Sequence, residues 1–201
     1  MNDKQLELVN GFDLFVRREF FDQDTCKKLV AEMQLAKRMP ATVYGSSLSG
    51  SVNENVRRTV RCTLSQRTVD YVMSRLLDYK PEVEKHFRIT LSECEEPQFL
   101  RYRIGDFFVA HQDGNTGLLQ LATEARRVSL VIFLNQQSDT AQEGAYCGGS
   151  LVFHDWRIGA SAPPFHMTAE AGTLVAFRSE TTHEVTQVTH GERLSIACWY
   201  R

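Results

Sequence analysis

Six histidines are spread along the 201 residues, and one of them has company that could do chemistry. In His111-Gln112-Asp113 an imidazole and a carboxylate stand two positions apart. Extended backbone sends positions i and i+2 to the same side, so one strand end can offer a nitrogen and an oxygen ligand to the same metal ion. A third ligand must come from elsewhere. His183 is the best placed, because it opens a late run of strand character. His154 and His166 also lie in or near such runs, and either could take its place. Two histidines and one carboxylate on three corners of an octahedron leave three positions open, which suits a non-haem Fe(II) centre that admits a co-substrate and O2. An HxD triplet alone also arises by chance in turns and on surfaces, so its neighbours decide the reading.

Ten residues after His183 comes Arg193, with Ser195 two further on. In a strand the two face the same side. A planar guanidinium beside a hydroxyl, inside a barrel, suits a carboxylate held by charge-assisted hydrogen bonds. The plainer reading is an ion pair with a protein acid at the rim. An inward arginine without an anion carries a large desolvation cost. A small dicarboxylate answers both needs, one end on the metal and the other on Arg193.

These residues must be positioned by strands. After Pro97 the chain becomes short apolar or alternating runs between Gly-rich and polar turns: QFLRYRI, FFVAH, RRVSLVIFLN, GSLVFHDW, FHMTA, TLVAF, HEVTQV and RLSIACWY. Short strands without long helices between them predict antiparallel pairing in a sandwich or barrel. The first third reads as helical with interruptions. Cys26, Leu29, Val30 and Met33 recur at helical spacing, with Asp22 or Asp24 as the N-cap. A second helix fits Ser65 to Tyr79 on a stripe of Val69, Val72, Met73 and Leu76, followed after Pro81 by a short helix to about Phe87. GSSLSGSVNEN reads as a loop, and NQQSDTAQEGAYCGG as a surface loop. Arg57, Arg58 and Arg61 follow the first of these. They read foremost as a solvated face, and second as the flank of a lid over the substrate.

Composition bounds the rest. The length fits a single domain, residues 1–201, with helical support over about 1–96 and a strand core over about 97–201. Hydrophobic residues make up 42%, enough for a core, and a net charge of −2 argues against a nucleic-acid or anionic-membrane partner. No apolar run approaches a membrane span, and the N-terminus does not read as a signal peptide. Five cysteines, an odd count without a CxxC, argue against a disulfide framework or structural zinc and for reduced thiols in the cytoplasm. Cys147, beside two glycines, is a candidate exposed thiol. Nothing in the residue pattern bears on the oligomeric state.

The ordered set HQD, HEV and ERLSIACWY resembles the Fe(II)- and 2-oxoglutarate-dependent dioxygenases, and within them the prolyl 4-hydroxylase-like branch that includes the oxygen-sensing prolyl hydroxylases. RYRIGDFFVAHQDG is similar to that family's Tyr-x-x-Gly run into the HxD strand, RRVSLVIFLN to the strand usually ending Tyr-Leu-Asn, and GGSLVF to its Gly-Gly strand start. AGTLVAFRSETTHEV is similar to the segment that delivers the distal histidine. The resemblance covers residues 97–200 firmly and 12–96 loosely. It implies a mainly β fold with flanking α, a double-stranded β-helix (jelly-roll, cupin-like) core braced by N-terminal helices. It implies that His111, Asp113 and His183 bind Fe(II), and that Arg193, assisted by Ser195, grips the distal carboxylate of 2-oxoglutarate. Tyr102 and Trp199 match residues near the co-substrate and the metal, with plain core packing as the other reading. O2 is the further co-substrate, and ascorbate an accessory reductant.

One position departs from the pattern. Phe133 stands where much of the family has a tyrosine whose hydroxyl helps hold the distal carboxylate, so Arg193 and Ser195 would carry more of the load, or another hydroxyl such as Thr173 would substitute. Asp113 is retained, which argues against the halogenating relatives. The implied activity is hydroxylation of a C–H bond with release of succinate and CO2, foremost on a prolyl residue of a protein or peptide. A free amino acid or other small metabolite is the alternative substrate. A metal-binding cupin-like protein without turnover is the alternative from another class.

Overall fold

The computed structural model describes residues 11–43, 51–114, 126–154, 164–168 and 170–201. The first part of the GSSLSGSVNEN loop, the last two residues of GSLVFHDW and the last residue of FHMTA fall outside them. The elements in chain order are β1 (Phe15–Arg17), α1 (Gln23–Leu35), β2 (Lys37–Pro40), β3 (Arg57–Arg58), β4 (Val60–Thr63) and α2 (Gln66–Phe87). There follow β5 (Gln98–Tyr102), β6 (Phe107–His111), β7 (Val128–Phe133), β8 (Cys147–Gly148), β9 (Leu151–His154) and β10 (Phe165–Met167). The last four are β11 (Leu174–Arg178), β12 (Thr182–Val185), β13 (Val188–His190) and β14 (Arg193–Tyr200).

Two antiparallel sheets make the jelly roll. The larger runs β1-β11-β7-β14-β5-β4-β2 and the smaller β10-β9-β12-β6-β3, with β13 and β8 paired separately. From β5 onward the chain crosses between them: β5, β7, β11 and β14 join the larger sheet, and β6, β9, β10 and β12 the smaller. That crossing is what brings residues far apart in sequence onto facing walls.

The helices brace the outer face of the larger sheet, as expected. Cys26, Leu29 and Met33 of α1 and Val72, Leu76 and Phe87 of α2 share one apolar cluster with sheet residues such as Leu130 and Ile196. Asp22 caps α1, its carboxylate accepting from the Thr25 amide at 2.7 Å.

Three expectations change. The helix over Ser65–Tyr79 and the short one after Pro81 are a single helix, α2, with Pro81 inside it. Proline removes only its own N–H, the position is exposed, and the buried stripe runs on through Val83 and Phe87. The stretch before residue 97 also contributes β1 to β4, which extend both sheets. They have two to four residues each, too few for an alternating pattern to show. HEVTQV, read as one strand, is divided between β12 and β13, which pair with different partners.

Candidate metal and co-substrate site

β6 and β12 are neighbours in the smaller sheet, and His183 lies directly opposite His111 in their register. Their rings stand 4.3 Å apart between centroids. Asp113 lies just beyond β6. Its amide and that of Gly114 both donate to the Ser179 carbonyl, at 2.9 and 3.1 Å, which folds the turn back toward β12. The Asp113 carboxylate reaches His111 Nε2 at 3.3 Å and His183 Nε2 at 3.5 Å. One ligand atom from each of the three lies within 4.8 Å of the others.

Both imidazoles are oriented by backbone. His111 Nδ1 meets the Val109 carbonyl at 2.8 Å, and His183 Nδ1 meets that of Thr181 at 2.9 Å. A carbonyl can only accept, so each Nδ1 carries the proton and each Nε2 keeps its lone pair for the centre of the cluster. Burial raises the Asp113 carboxyl, but the facing His183 and His111 outweigh it and hold the group well below the usual carboxylate range. The indole of Trp199 adds to that pull without reaching hydrogen-bond geometry. Burial, then His111, lowers His183 to about 4 against the opposing charge of Asp113. At neutral pH His183 is thus neutral and Asp113 ionised, as binding of a divalent cation needs.

The larger sheet supplies the other wall of the same cavity, which holds about 180 Å³. Arg193 and Ser195 project from β14, and Tyr102 of β5 is the register partner of Arg193. Arg193 is 1% exposed and donates from Nη1 to Ser195 Oγ at 2.7 Å. Its guanidinium lies over the Tyr102 and Phe133 rings, 5.1 and 5.4 Å from their centroids. Its Nε has no partner among the described residues. No carboxylate among the described residues pairs with it, so the rim ion pair does not form. Asn135 sets its place in the chain: the side-chain amide donates to the Glu192 carbonyl at 2.7 Å and accepts from the Leu194 amide at 2.9 Å. Trp199 lines the cavity beneath Arg126, whose guanidinium stacks 3.7 Å above the indole and pairs with Glu95.

The donor set fits Fe(II), and a buried guanidinium with an unfilled N–H beside that set fits a dicarboxylate chelated to the metal.

Several residues singled out in the sequence land elsewhere. Thr173, offered as a substitute hydroxyl, lines a separate small cavity with Val16 and Phe165 and does not face Arg193. The NQQSDTAQEGAYCGG segment is not wholly a surface loop, because Tyr146 is fully buried in the aromatic cluster that includes Phe133 and Phe153. Its hydroxyl has no hydrogen-bond partner among the described residues. Burial pushes that phenol's pKa up, and Arg193 pulls it the other way. Gly149 explains how close the two come: a Cβ there would meet Arg193 Cδ at 3.2 Å and Tyr146 Cε2 at 3.3 Å. An aromatic residue beside a Gly-Gly pair was the available signal for Tyr146. Arg57 is buried against Phe108 rather than part of a solvated face, whereas Arg58 is exposed and Arg61 pairs with Glu96. His154 faces Glu184 at 3.2 Å, and His166 and His190 point outward. His86 packs against Phe15 and Phe87. Cys147 is half-buried in β8, away from the cavity, and all five cysteines are free thiols.

Comparison with known proteins agrees with this geometry. The family profile described as the 2OG-Fe(II) oxygenase superfamily matches residues 97–201. A PKHD-type hydroxylase of Shewanella oneidensis is 34% identical over 172 residues, covering 83% of this chain and 70% of the relative. Among solved structures, a Pseudomonas putida prolyl-4-hydroxylase superposes with a TM-score of 0.71 at 22% identity, covering 98% of this chain and 97% of that one. A Trichoplax adhaerens prolyl hydroxylase, in complex with a hypoxia inducible factor peptide fragment, gives 0.71 at 14% identity over 100% and 93% of the two chains. With its jelly-roll core, its His–Asp–His cluster and the buried arginine beside it, the chain belongs to the 2OG-Fe(II) oxygenase superfamily and is a dioxygenase dependent on Fe(II) and 2-oxoglutarate.

Proposed function

We infer that this dioxygenase hydroxylates a prolyl residue in a protein or peptide, with His111, Asp113 and His183 as the iron ligands and Arg193 and Ser195 as the grip on 2-oxoglutarate. The observation that carries the site assignment is the buried Arg193, its Nε unfilled, in the same cavity as the His–Asp–His cluster. The prolyl reading is supported by the P. putida and T. adhaerens neighbours, one of them bound to a peptide.

When bound, the metal together with 2-oxoglutarate and O2 supplies the oxidising power for C–H hydroxylation, with succinate and CO2 released. The chain's own residues do the positioning. His111 and His183 present Nε2 lone pairs locked by the Val109 and Thr181 carbonyls. Asp113 stays ionised and contributes the charge. Arg193 takes the distal carboxylate while Ser195 holds one end of the guanidinium in place. The Tyr146 hydroxyl, near enough to Arg193 for that charge to oppose the rise in its pKa, stands in for the one that Phe133 lacks. Phe108, Leu151 and Val185 wall the cavity and keep bulk water from the reacting carbon.

The test is direct. Anaerobic addition of Fe(II) and 2-oxoglutarate should give the weak visible charge-transfer band of the chelate, and His111→Ala should abolish both the band and succinate release. Prolyl peptides should stimulate succinate release more than free proline does. A wild-type band retained in His111→Ala would overturn the metal assignment, and free proline outperforming every peptide would move the substrate to a small metabolite.

A further inference from the structure

The smaller sheet brings a further buried guanidinium to the cavity, besides those of Arg193 and Arg126. Arg57 of β3 is 8% exposed and lies opposite Phe108 of β6 in register. Its guanidinium sits 4.7 Å over the Phe108 ring, and that ring stacks on His111 at 3.5 Å with an interplanar angle of 18°. The three groups form a layered stack whose last member is a metal ligand candidate. Arg57 Nη1 donates to the Thr42 carbonyl at 3.1 Å, and Nε has no partner among the described residues. Stacking does not satisfy that N–H. The ring attracts the face of a guanidinium, while its donors lie in the plane.

The remaining charges at the cavity are accounted for. Arg126 is paired with Glu95 through two hydrogen bonds. Asp113 belongs to the candidate metal cluster, and Arg193 would take the distal carboxylate of 2-oxoglutarate. Like Arg193, Arg57 has no carboxylate within 4.0 Å among the described residues, but the co-substrate supplies none to it, and a desolvated cation without a counter-ion is costly to keep. Val43, Val56 and Phe108 line the cavity around it, so a charge brought there is felt at low dielectric. An arginine held this way by a backbone carbonyl and an aromatic face is pre-organised for a carboxylate that arrives with the ligand.

We propose that Arg57 is the carboxylate-recognising residue for the primary substrate, so that the molecule hydroxylated carries a carboxylate within reach of the reacting carbon. Two sources share that chemistry: an Asp or Glu close to the target residue of a peptide, or the α-carboxylate of a free amino acid. The inference rests on the dioxygenase reading of the site.

The experiment uses the Fe(II)-loaded enzyme and two matched pairs of probes. One pair is prolyl peptides with Glu or Gln placed at each of two positions on either side of the proline, and the other is L-proline and L-prolinamide. Hydroxylation is read by mass spectrometry, and anaerobic binding by titration calorimetry. In one of the pairs the carboxylate member should have a kcat/KM and an affinity about tenfold above those of its amide, and the pair that shows this names the source. Arg57→Gln should erase the preference by weakening the carboxylate member about tenfold, and Arg57→Lys should keep part of it. A wild-type enzyme that does not discriminate in either pair, or Arg57→Gln and Arg57→Lys both weakening carboxylate and amide equally, overturns the proposal. Substrate-free conversion of 2-oxoglutarate to succinate by the wild type separates the two failures. If it occurs and neither pair discriminates, only the role of Arg57 falls. If it does not occur, the reading beneath it falls as well.

Discussion

At the scale of single residues, the site sets the His–Asp–His cluster on one wall against Arg193 and Ser195 on the other. Phe133, at the position where much of the family carries a hydroxyl, contributes only a ring face to Arg193. Tyr146, from another element, brings an unfilled hydroxyl to the same arginine. Tyr146→Phe removes that hydroxyl and leaves the aromatic packing. It should raise the KM for 2-oxoglutarate about tenfold, the weight of one hydrogen bond to a charged group, with the loss falling on KM rather than kcat. Steady-state kinetics in 2-oxoglutarate check this, and an unchanged KM would leave Tyr146 as packing alone. The HxD pair and the Arg-x-Ser pair were legible in the amino-acid sequence because each is a local statement about which side of a strand a residue takes. Tyr146 was not, because its neighbour Arg193 is 47 positions away in the chain.

At the scale of elements, the helices are tied to each other before they are tied to the sheet. Glu32 of α1 accepts from the Ser65 amide at 2.7 Å and from the Thr68 hydroxyl at 2.6 Å. Ser65 is the N-cap of α2 but makes no side-chain cap bond to the helix; Glu32 takes the Ser65 amide, the donor that the glutamate of a capping box would take. Burial raises the Glu32 carboxyl, but the bonds from Thr68 and Ser65 outweigh it and hold it below its ordinary value. A depressed carboxyl stabilises the fold above its unfolded pKa, about 4.3, and loses that contribution as pH falls through the folded value. Glu32→Ala should therefore cost about 1 kcal/mol at neutral pH. The gap to the wild type should narrow in acid. Denaturant titrations at pH 7 and below 4 measure both, and a gap that widens in acid would show that Glu32 does not act through its charge. Strands β5 to β14, apart from β8 and most of β13, were legible because apolar runs mark a buried sheet. β2 was not, because all four of its residues are exposed and it carries no apolar face.

At the scale of the whole molecule, the cluster ties β6, β12 and the turn after β6 to one point in the smaller sheet. A cation that binds there binds only the folded chain, and stabilises it by mass action. Mn(II), a redox-quiet substitute, at 100 times its Kd should contribute about 2.7 kcal/mol. For a domain of this length that is about 5–10 °C in Tm. Asp113→Ala should lose the shift while retaining a cooperative melt, and EDTA should reverse it in the wild type. An equal Mn(II) shift in Asp113→Ala would place the cation elsewhere.

The amino-acid sequence by itself determined the chemistry on offer and the strand core that carries it: His111 with Asp113, His183, Arg193 with Ser195, and the runs of β5 to β7 and of β14. These follow from residue type and the two-residue period of extended chain, which need no knowledge of distant contacts. Only the tertiary structure decided which groups share a cavity. It set Tyr146 beside Arg193, sent Thr173 to another pocket, and turned Arg57 inward over Phe108. The reason is that a jelly roll makes its walls from strands that cross between sheets. Which side chains meet across the gap depends on register and sheet order, and neither is written in any one segment.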